Sequence, residues 1–242
     1  MRLDLHLVNC GYYATRSKAQ QAIKNKIIKV NGAIVTKANF SINNADQIAI
    51  ISTQTYVSRG AYKLLTAVNS WNLDFTNKVI LDVGAGTGGF SQVCLKLGAK
   101  LVYAVDVGKG QLDESLSHNP RLINYPQTHF NKINLSLFKY KIDIMVGDVS
   151  FISLTKLITH LKQIFHYPYK AIMLIKPQFE LTPQILAKCK GKIHNIKLRN
   201  LAITKVKTCL IDEHFVIHGV IPAAILGNKK KNQEYLVYFE QQ

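Results

Sequence analysis

The segment "KVILDVGAGTGGF", residues 78–90, restricts the fold of this chain more than any other part of the sequence. It begins with apolar residues typical of a buried strand and continues into a turn with four glycines. Glycines allow positive φ angles and let a ligand approach the backbone. "SQVCLKLG" follows with the character of a helix that ends at Gly98. The segment therefore predicts a strand, a tight turn and a helix, the opening unit of an α/β domain.

Three further apolar segments each reach a charged residue. "KLVYAVDVG" reaches Asp106, "IDIMVGDVSF" reaches Asp148, and "AIMLIKPQF" reaches Lys176. Strands alternating with helices predict a mostly parallel sheet covered by helices on both faces, which is a Rossmann-like α/β fold. Ligands of such sheets bind at the carboxyl ends of the strands. We therefore expect Asp106, Asp148 and Lys176 at one ligand-binding edge.

The glycine-rich turn by itself fits a dinucleotide, S-adenosylmethionine or no ligand. Asp106 follows Asp82 by 24 positions, about the separation at which an acid binds the ribose hydroxyls of a nucleotide cofactor. The glycine spacing is G-x-G-x-G-G, which differs from the G-x-G-x-x-G of dinucleotide sites. It favours S-adenosylmethionine, with these candidate binding residues: Asp82, Gly84, Gly86, Gly88 and Asp106.

Residues 1–54 predict a separate, small α+β module. "TRSKAQQAIKNK" has the spacing of a helix that Thr15 or Ser17 would cap. The pair Asn31-Gly32 between two apolar runs predicts a hairpin. Lysines and arginines outnumber acids by seven to two in this module, and several could share one basic helix face. We expect a linker at 55–58 and a second domain at 59–242.

The chain carries 31 lysines and arginines against 14 acids, a formal net charge of +17. This excess favours nucleic acid or an anionic membrane as partner. The four cysteines lie far apart and no His/Cys cluster has zinc spacing, so we expect free thiols, a reducing cytoplasm and no metal. The most apolar C-terminal stretch is shorter than the roughly 20 residues of a spanning helix. We expect a cytoplasmic protein without a membrane span.

Asp148 and Lys176 should end neighbouring strands, where they would form either a simple ion pair or part of a reaction site. A lysine accepts a proton only if its pKa falls from about 10.4 toward neutrality. Burial and a second cation lower the pKa of a lysine, whereas a carboxylate raises it. Lys63 precedes the first strand and Glu234 begins the last predicted one. Spacing alone does not bring either of them to Lys176.

Six motifs occur along the chain in a fixed order: "VSRGAYKL", "LDVGAGTGGF", "DVGKGQL", "GDVSFISL", "IKPQFE" and "NQEYL". Together they resemble the TlyA family of S4-linked ribosomal RNA 2′-O-methyltransferases, whose catalytic domain is of the FtsJ type. In residues 1–54, "RLD", "TRSKAQQAI" and "IKVNG" resemble the S4 RNA-binding module. The resemblance spans nearly the whole chain. It implies a Rossmann-like S-adenosylmethionine-dependent methyltransferase domain preceded by a small α+β S4-like domain.

The resemblance also implies roles for individual residues. It maps a catalytic tetrad onto Lys63, Asp148, Lys176 and Glu234, with Lys176 as general base for a cytidine 2′-hydroxyl. S-adenosylmethionine would contact Gly88, Phe90, Asp106 and Asp148. Ribosomal RNA or a ribosomal subunit is the implied partner, with 23S RNA favoured over 16S RNA. The candidate RNA-binding residues are Arg2, Arg16, Lys18, Lys24 and Arg59.

The chain departs from the family pattern at several positions, which are Lys26, His129, Asn131, Lys192 and Asn195. A lysine-rich loop also replaces a glycine-rich one, and its residues Lys229–Lys231 would contact either RNA phosphate or only solvent. Two alternative functions therefore stay open. One is a ribosome-assembly protein with a degenerate cofactor site, and the other is a membrane-active haemolysin, a label that some relatives carry.

Overall fold

The computed structural model describes residues 1–13, 15–43, 45–50, 56–224 and 232–242. It divides into two compact units, Met1–Thr55 and Tyr56–Gln242. Residues 56–58 of the expected linker belong to the larger unit, where the amide of Val57 donates to Gln92 Oε1 at 2.7 Å. Residue 55 of that linker and Lys229–Lys231 lie outside the described residues.

The N-terminal unit combines two helices with a small antiparallel sheet in the order β2-β1-β3. Asn31 and Gly32 have φ angles of 51° and 81° and connect the first two strands, so the predicted hairpin is confirmed. A core of fully buried side chains, Leu3, Leu7 and Ile23 among them, joins the helices to the sheet. The elements are α1 (Leu3–Asn9), α2 (Arg16–Lys24), β1 (Ile28–Val30), β2 (Ala33–Ile34) and β3 (Ile48–Ile50).

Helix α2 begins after its N-cap Thr15, whose Oγ1 accepts from the amide of Lys18 at 3.3 Å. At about 100° per residue, Lys18 lies about 160° around the helix from Arg16. Arg16 and Lys18 therefore lie on different sides of α2, and the single basic face expected from the sequence stays a prediction. After the helix, Lys26 has φ 62°, the left-handed conformation that glycine favours. The turn is kept at a conformational cost of roughly 1–2 kcal/mol.

The larger unit is built on a seven-stranded sheet in the order β6-β5-β4-β7-β8-β10-β9. The first five strands in this order are parallel and the last two are antiparallel to their neighbours. The strands are β4 (Val79–Val83), β5 (Leu101–Val105), β6 (Leu122–Tyr125), β7 (Ile144–Gly147), β8 (Tyr169–Ile175), β9 (Val216–Pro222) and β10 (Tyr235–Gln241). The mostly parallel, Rossmann-like sheet predicted from the sequence is confirmed.

Helices cover both faces of this sheet. They are α3 (Gly60–Trp71), α4 (Gly89–Lys96), α5 (Glu114–Ser117), α6 (Leu154–Ile164), α7 (Pro177–Glu180), α8 (Pro183–Lys188) and α9 (Ile196–Asp212). Short 3₁₀ turns cover 130–132 and 135–137. Gly98, with φ 85°, follows α4 and ends it as the sequence predicts.

The central strands are buried on both faces, which explains their continuous apolar runs. Leu81 of β4 packs in the core that α6 and α9 share, whereas its neighbour Ile80 packs in the core of α3 and α4. Since the helices occupy both faces, only the ends of the strands are open to ligands. The carboxyl ends of β4, β5, β7 and β8 meet at one edge, and the candidate site lies there.

Candidate active site

The turn after β4 is shaped by glycines at positive φ. Gly84, Gly86 and Gly88 have φ angles of 79°, 54° and 89°. A Cβ built on Gly84 would lie 3.1 Å from the carbonyl oxygen of Asp148, and one on Gly88 would lie 2.5 Å from Leu116 Cδ1. Gly84 and Gly88 therefore have close neighbours as well as a positive φ, whereas at Gly86 the nearest atom would be 3.9 Å away and the positive φ is what favours glycine. The turn presents bare backbone at the open edge of the sheet.

Asp106 ends β5 beside this turn. Its Oδ2 accepts from the amide of Gly86 at 2.8 Å and its Oδ1 accepts from the amide of Gly108 at 2.7 Å. These bonds hold the carboxylate against the glycine-rich turn, and each oxygen retains a further lone pair. The arrangement fits a carboxylate that receives the two hydroxyls of a ribose.

Three of the seven candidate cofactor residues, Asp82, Gly88 and Phe90, are buried. Asp82 is fully buried, and its Oδ2 accepts from Ser91 Oγ at 2.6 Å. Burial raises the pKa of Asp82 to about 7. Phe90 is 3% exposed and packs in the core of α3 and α4. The buried residues support the turn from inside the protein, whereas Asp106, Asp148, Gly84 and Gly86 are partly exposed.

The four predicted tetrad residues are brought together by elements that are distant in sequence. Lys63 lies on α3, Asp148 follows β7, and Lys176 follows β8. Glu234 lies near these residues because β10 pairs antiparallel with β8 and places its neighbour Tyr235 opposite Ile175. Lys63 Nζ lies 3.1 Å from Asp148 Oδ2 and 2.6 Å from Glu234 Oε2, and Lys176 Nζ lies 2.5 Å from Asp148 Oδ1.

The tetrad is a buried and electrically balanced cluster. Lys63, Lys176 and Glu234 are between 4% and 9% exposed. Burial lowers the pKa of Lys63, but the charges of Asp148 and Glu234 outweigh it and raise that pKa above its ordinary value. Burial raises the pKa of Asp148, and the two lysines outweigh it, so that pKa lies below its ordinary value. Two positive and two negative charges let these groups share one buried site.

The backbone fixes the direction of Lys176. Pro177 is the first residue of α7, and Lys176 caps that helix with φ −111° and ψ 101°. Proline restricts the residue before it to extended geometry, so β8 ends with Lys176 still extended. Lys176 Nζ also donates to Ser150 Oγ at 2.6 Å. Sequence reasoning missed Ser150, although its position two residues after Asp148 was a usable signal.

Phe151 is a second residue that sequence reasoning missed. It is 89% exposed and has φ 67°, an unusual conformation for an aromatic residue. Its ring centroid lies 5.4 Å from that of Phe179, and Lys176 Nζ lies 6.0 Å from the Phe179 centroid. Both rings line a cavity of about 610 Å³, which also includes His129, Lys156 and Lys205. Aromatic and basic groups therefore line this cavity, and Phe179 is the lining residue whose ring lies near Lys176.

Glu180, near that cavity, has a structural explanation. Its carboxylate accepts from Ser153 Oγ at 2.5 Å and from the amide of Leu154 at 2.7 Å, which caps the start of α6. Lys205 Nζ lies 3.7 Å from it. Asn195 similarly caps α9 by accepting from the amide of Lys197 at 2.8 Å. The departure from the family pattern at Asn195 thus keeps a helix-capping residue.

The other departures lie on the surface of the larger unit. His129 Nδ1 and Asn131 Oδ1 are 2.9 Å apart, and the His129 ring packs on Phe130 with centroids 4.5 Å apart. Lys192 is exposed. None of these residues contacts the tetrad in the hydrogen bonds and ion pairs that the described residues form.

The candidate RNA-binding residues are divided between the two units. Arg2, Arg16, Lys18 and Lys24 lie in the N-terminal unit, and all four are exposed. Arg2 and Arg16 both pair with the buried Asp4. Arg59 is exposed in the larger unit, where it is the N-cap of α3, the helix that carries Lys63.

In the described ranges, no group of three or more His, Cys, Asp or Glu side chains is arranged to hold a metal ion. No helix within the same part of the chain combines the length and apolar character needed to cross a membrane.

Comparisons with known proteins match both units. The FtsJ-like methyltransferase model matches residues 56–241, and the S4 domain model matches residues 1–48. A Brachyspira hyodysenteriae protein named Hemolysin A is 37% identical over 99% of both chains. A Mycobacterium tuberculosis protein named 16S/23S rRNA (cytidine-2′-O)-methyltransferase TlyA is 30% identical over 100% of this chain and 90% of its own.

Among solved structures, that of a candidate hemolysin from Streptococcus thermophilus has a TM-score of 0.77 and 30% identity. It covers 100% of this chain and 88% of its own. The agreement extends over both units, from the S4 match through the FtsJ-like match. The chain therefore belongs to the FtsJ-like methyltransferase family and, with its S4 domain, to the TlyA group within it.

Proposed function

We propose that this chain transfers a methyl group from S-adenosylmethionine to a cytidine 2′-oxygen of ribosomal RNA in the cytoplasm, with 23S RNA as the favoured target over 16S RNA. The observation that carries the proposal is the mutual contact of Lys63, Asp148, Lys176 and Glu234 at the open edge of the sheet. The names of the M. tuberculosis relative and of a Campylobacter jejuni relative, a 23S rRNA (cytidine-2′-O)-methyltransferase at 29% identity, support the choice of substrate.

The turn after β4 fits S-adenosylmethionine. Its glycines leave bare backbone where a Cβ at Gly84 would meet Asp148. Asp106 is held at the end of β5 as a ribose acceptor. Asp148 lies next to both the turn and the lysines, so one residue joins the cofactor side of the site to the proton-accepting side. When bound, S-adenosylmethionine supplies an electrophilic methyl group on a sulfonium.

Lys176 Nζ accepts the proton of the ribose 2′-hydroxyl as the oxygen attacks the methyl carbon. This role requires the neutral amine. Lys63 binds the second oxygen of the carboxylate that Lys176 also binds, so Asp148 holds the two lysines at one site. Asp148 and Ser150 direct Nζ, and Glu234 holds Lys63. The remaining requirement is alignment of oxygen, methyl and sulfur, which positioning supplies.

The RNA approaches from the side of Phe151. An exposed aromatic ring held at an unfavourable φ has no role in the core, and such rings stack on unpaired bases. We assign Phe151 to the base of the target nucleotide, with the ribose directed to Lys176. The S4 domain contributes RNA affinity through residues outside the reaction site, and Arg59 does so beside α3.

The complete tetrad favours catalysis over the assembly-protein alternative, because a degenerate site would have no reason to keep four buried ionisable groups in contact. Calorimetry with S-adenosylmethionine separates the two. Absence of binding, both for the protein alone and with ribosomal RNA, would support the assembly protein.

The decisive experiment measures methyl transfer to unmodified 23S and 16S transcripts, with 2′-O-methylcytidine identified by mass spectrometry. Lys176→Ala should lower the rate by about 10²–10⁴-fold, the usual contribution of a general base, while RNA binding survives. Lys170→Ala, an exposed lysine on the same strand, is the matched control and should leave the rate unchanged. An active Lys176→Ala enzyme would refute the assignment of the base.

A further inference from the structure

Asp4 is a fully buried acid in a unit with seven lysines and arginines and two acids. A buried carboxylate is unfavourable unless hydrogen bonds replace its water, and here five donors do so. They are Arg2 Nε and Nη2, Arg16 Nε, Gln20 Nε2 and the amide of Leu5, at 2.8–3.1 Å. The hydrogen bond from Arg2 is the largest cause that holds the pKa of Asp4 well below its ordinary range. Asp4 is therefore ionised at neutral pH.

The two arginines reach Asp4 from different helices. Arg2 precedes α1, and Arg16 opens α2, where Gln20 lies one turn further along and donates to the same carboxylate. Among the described residues, Arg16 donates to Asp4 through Nε, which leaves the Nη donors of that guanidinium for a ligand. The side chains of Arg2 and Arg16 are 44% and 49% exposed.

We infer that Asp4 is a positioning residue that converts Arg2 and Arg16 into one preorganised phosphate-binding site for RNA. Two guanidinium groups on one carboxylate keep a net positive charge and a fixed spacing. Planar guanidinium groups bind phosphate oxygens through paired N–H donors. Immobilising two long side chains on binding normally costs free energy and so weakens affinity. Here the hydrogen bonds to Asp4 already hold Arg2 and Arg16 in place before RNA binds. The inference rests on the proposed RNA substrate.

A purely structural role for Asp4, in which it only joins α1 to α2, makes a different prediction. Removing one acid from a chain with a net charge of +17 strengthens RNA binding through long-range attraction, if the fold survives. A positioning role predicts the opposite, because the arginines become disordered. The sign of the change in affinity therefore separates the two roles.

The test measures filter binding to unmodified 23S transcript over a range of salt concentrations. Asp4→Asn keeps the size of the side chain and should weaken binding about tenfold, since each ordered side chain contributes to affinity. The slope of log K against log salt should fall by about 0.7 for each phosphate that the variant no longer neutralises. Asp46→Asn is the charge-matched control, because Asp46 belongs to the same unit, is partly exposed, and its carboxylate accepts from Asn31 Nδ2 and the amide of Asn43 rather than from a lysine or arginine among the described residues. It should bind as tightly as the wild type or more tightly.

Circular dichroism establishes whether Asp4→Asn is folded. If it is not, the double variant Arg2→Lys and Arg16→Lys decides, because it preserves net charge but replaces each rigid planar guanidinium, whose separate edges can hold Asp4 and a phosphate at a fixed spacing, by a compact ammonium on a flexible stem. Its affinity should fall several-fold. Wild-type or higher affinity in a folded Asp4→Asn protein, or wild-type affinity in the double variant, would overturn the inference. Methyl transfer by the wild type, assayed alongside, reports separately on the proposed function.

Discussion

Replacing Asp148 by asparagine removes the charge that the tetrad shares. Asp148 is the partner of both lysines, at 3.1 Å from Lys63 Nζ and 2.5 Å from Lys176 Nζ. Lys63 retains Glu234 at 2.6 Å in the variant. Lys176 retains only neutral partners, Ser150 Oγ and the carbonyl oxygen of residue 148, among its contacts with described residues. The variant therefore leaves one buried ammonium without a counter-charge.

The size of the effect has an upper bound. Neutralising an ordinary lysine at pH 7 costs about 4.6 kcal/mol, which is 1.36 kcal/mol for each unit between pH 7 and a pKa of about 10.4. Breaking a buried ion pair typically costs about 3–5 kcal/mol. Asp148 has a side chain that is 21% exposed, which places the effect at the lower end. We expect the free energy of unfolding of the larger unit to fall by about 3 kcal/mol.

The pH dependence has a definite sign. The pKa of Asp148 is lower in the folded protein than in the unfolded chain, where it is about 3.9. Its contribution to stability is therefore present above pH 4 and is lost as the pH falls through the folded pKa. The difference between wild type and Asp148→Asn should be constant from about pH 5 to pH 8 and should shrink below about pH 4.

Urea unfolding followed by tryptophan fluorescence measures this difference. The chain has a single tryptophan, Trp71, which packs 5.5 Å from Tyr238 in the larger unit, so its emission reports on that unit. Asp212→Asn, an exposed acid at the end of α9, should change the free energy by less than about 0.5 kcal/mol. If Asp148→Asn behaved like this control, or if its deficit grew below pH 4, the tetrad would not be a charge-balanced cluster.

Three further tests concern individual backbone positions. Gly84→Ala should lower the free energy of unfolding by about 1–3 kcal/mol and weaken S-adenosylmethionine binding in calorimetry, because its Cβ would meet Asp148 at 3.1 Å. Gly110→Ala is the control, because Gly110 also has a positive φ but a Cβ there would have no atom within 4 Å. An equal loss of stability in Gly110→Ala would exclude the close approach to Asp148 as the cause. Lys26→Gly should stabilise the N-terminal unit by about 0.5–1 kcal/mol in thermal unfolding, since φ 62° favours glycine. Phe151→Gly should stabilise the larger unit slightly, because φ 67° also favours glycine at this position, but it should raise KM for RNA. An unchanged KM would show that Phe151 does not belong to the substrate site.

Sequence patterns predicted the central elements of the larger unit well because these elements depend on local composition. The apolar runs before Asp106, Asp148 and Lys176 are the buried strands β5, β7 and β8. Strand β9 and helix α9 were not predicted. The buried residues of α9 are few, Ala202, Val206 and Leu210, so the helix has only a weak apolar stripe. Packing against α6 and the sheet stabilises it, and such contacts have no local signal.

The candidate site shows the same division. The charged residues at the strand ends were predicted from the sequence as site residues. Asp82 and Phe90 were also predicted to bind the cofactor, but both are buried inside the protein. A glycine-rich motif identifies a turn without showing which of its neighbours face outward. Phe151 and Asp4 lie within sequence motifs, but their roles were not predicted, because an exposed aromatic ring and a buried acid are defined by their surroundings.

The sequence by itself determined the α/β class, the glycine-rich turn and the family to which the motifs point, since strands, turns and helices follow from neighbouring residues. Only the tertiary structure decided that Lys63 and Glu234 contact each other and that Asp148 joins both lysines. The physical reason is the strand order: β10 returns antiparallel beside β8 and carries Glu234 to the same edge. Burial of the four groups together then sets their charge balance, which no local spacing specifies.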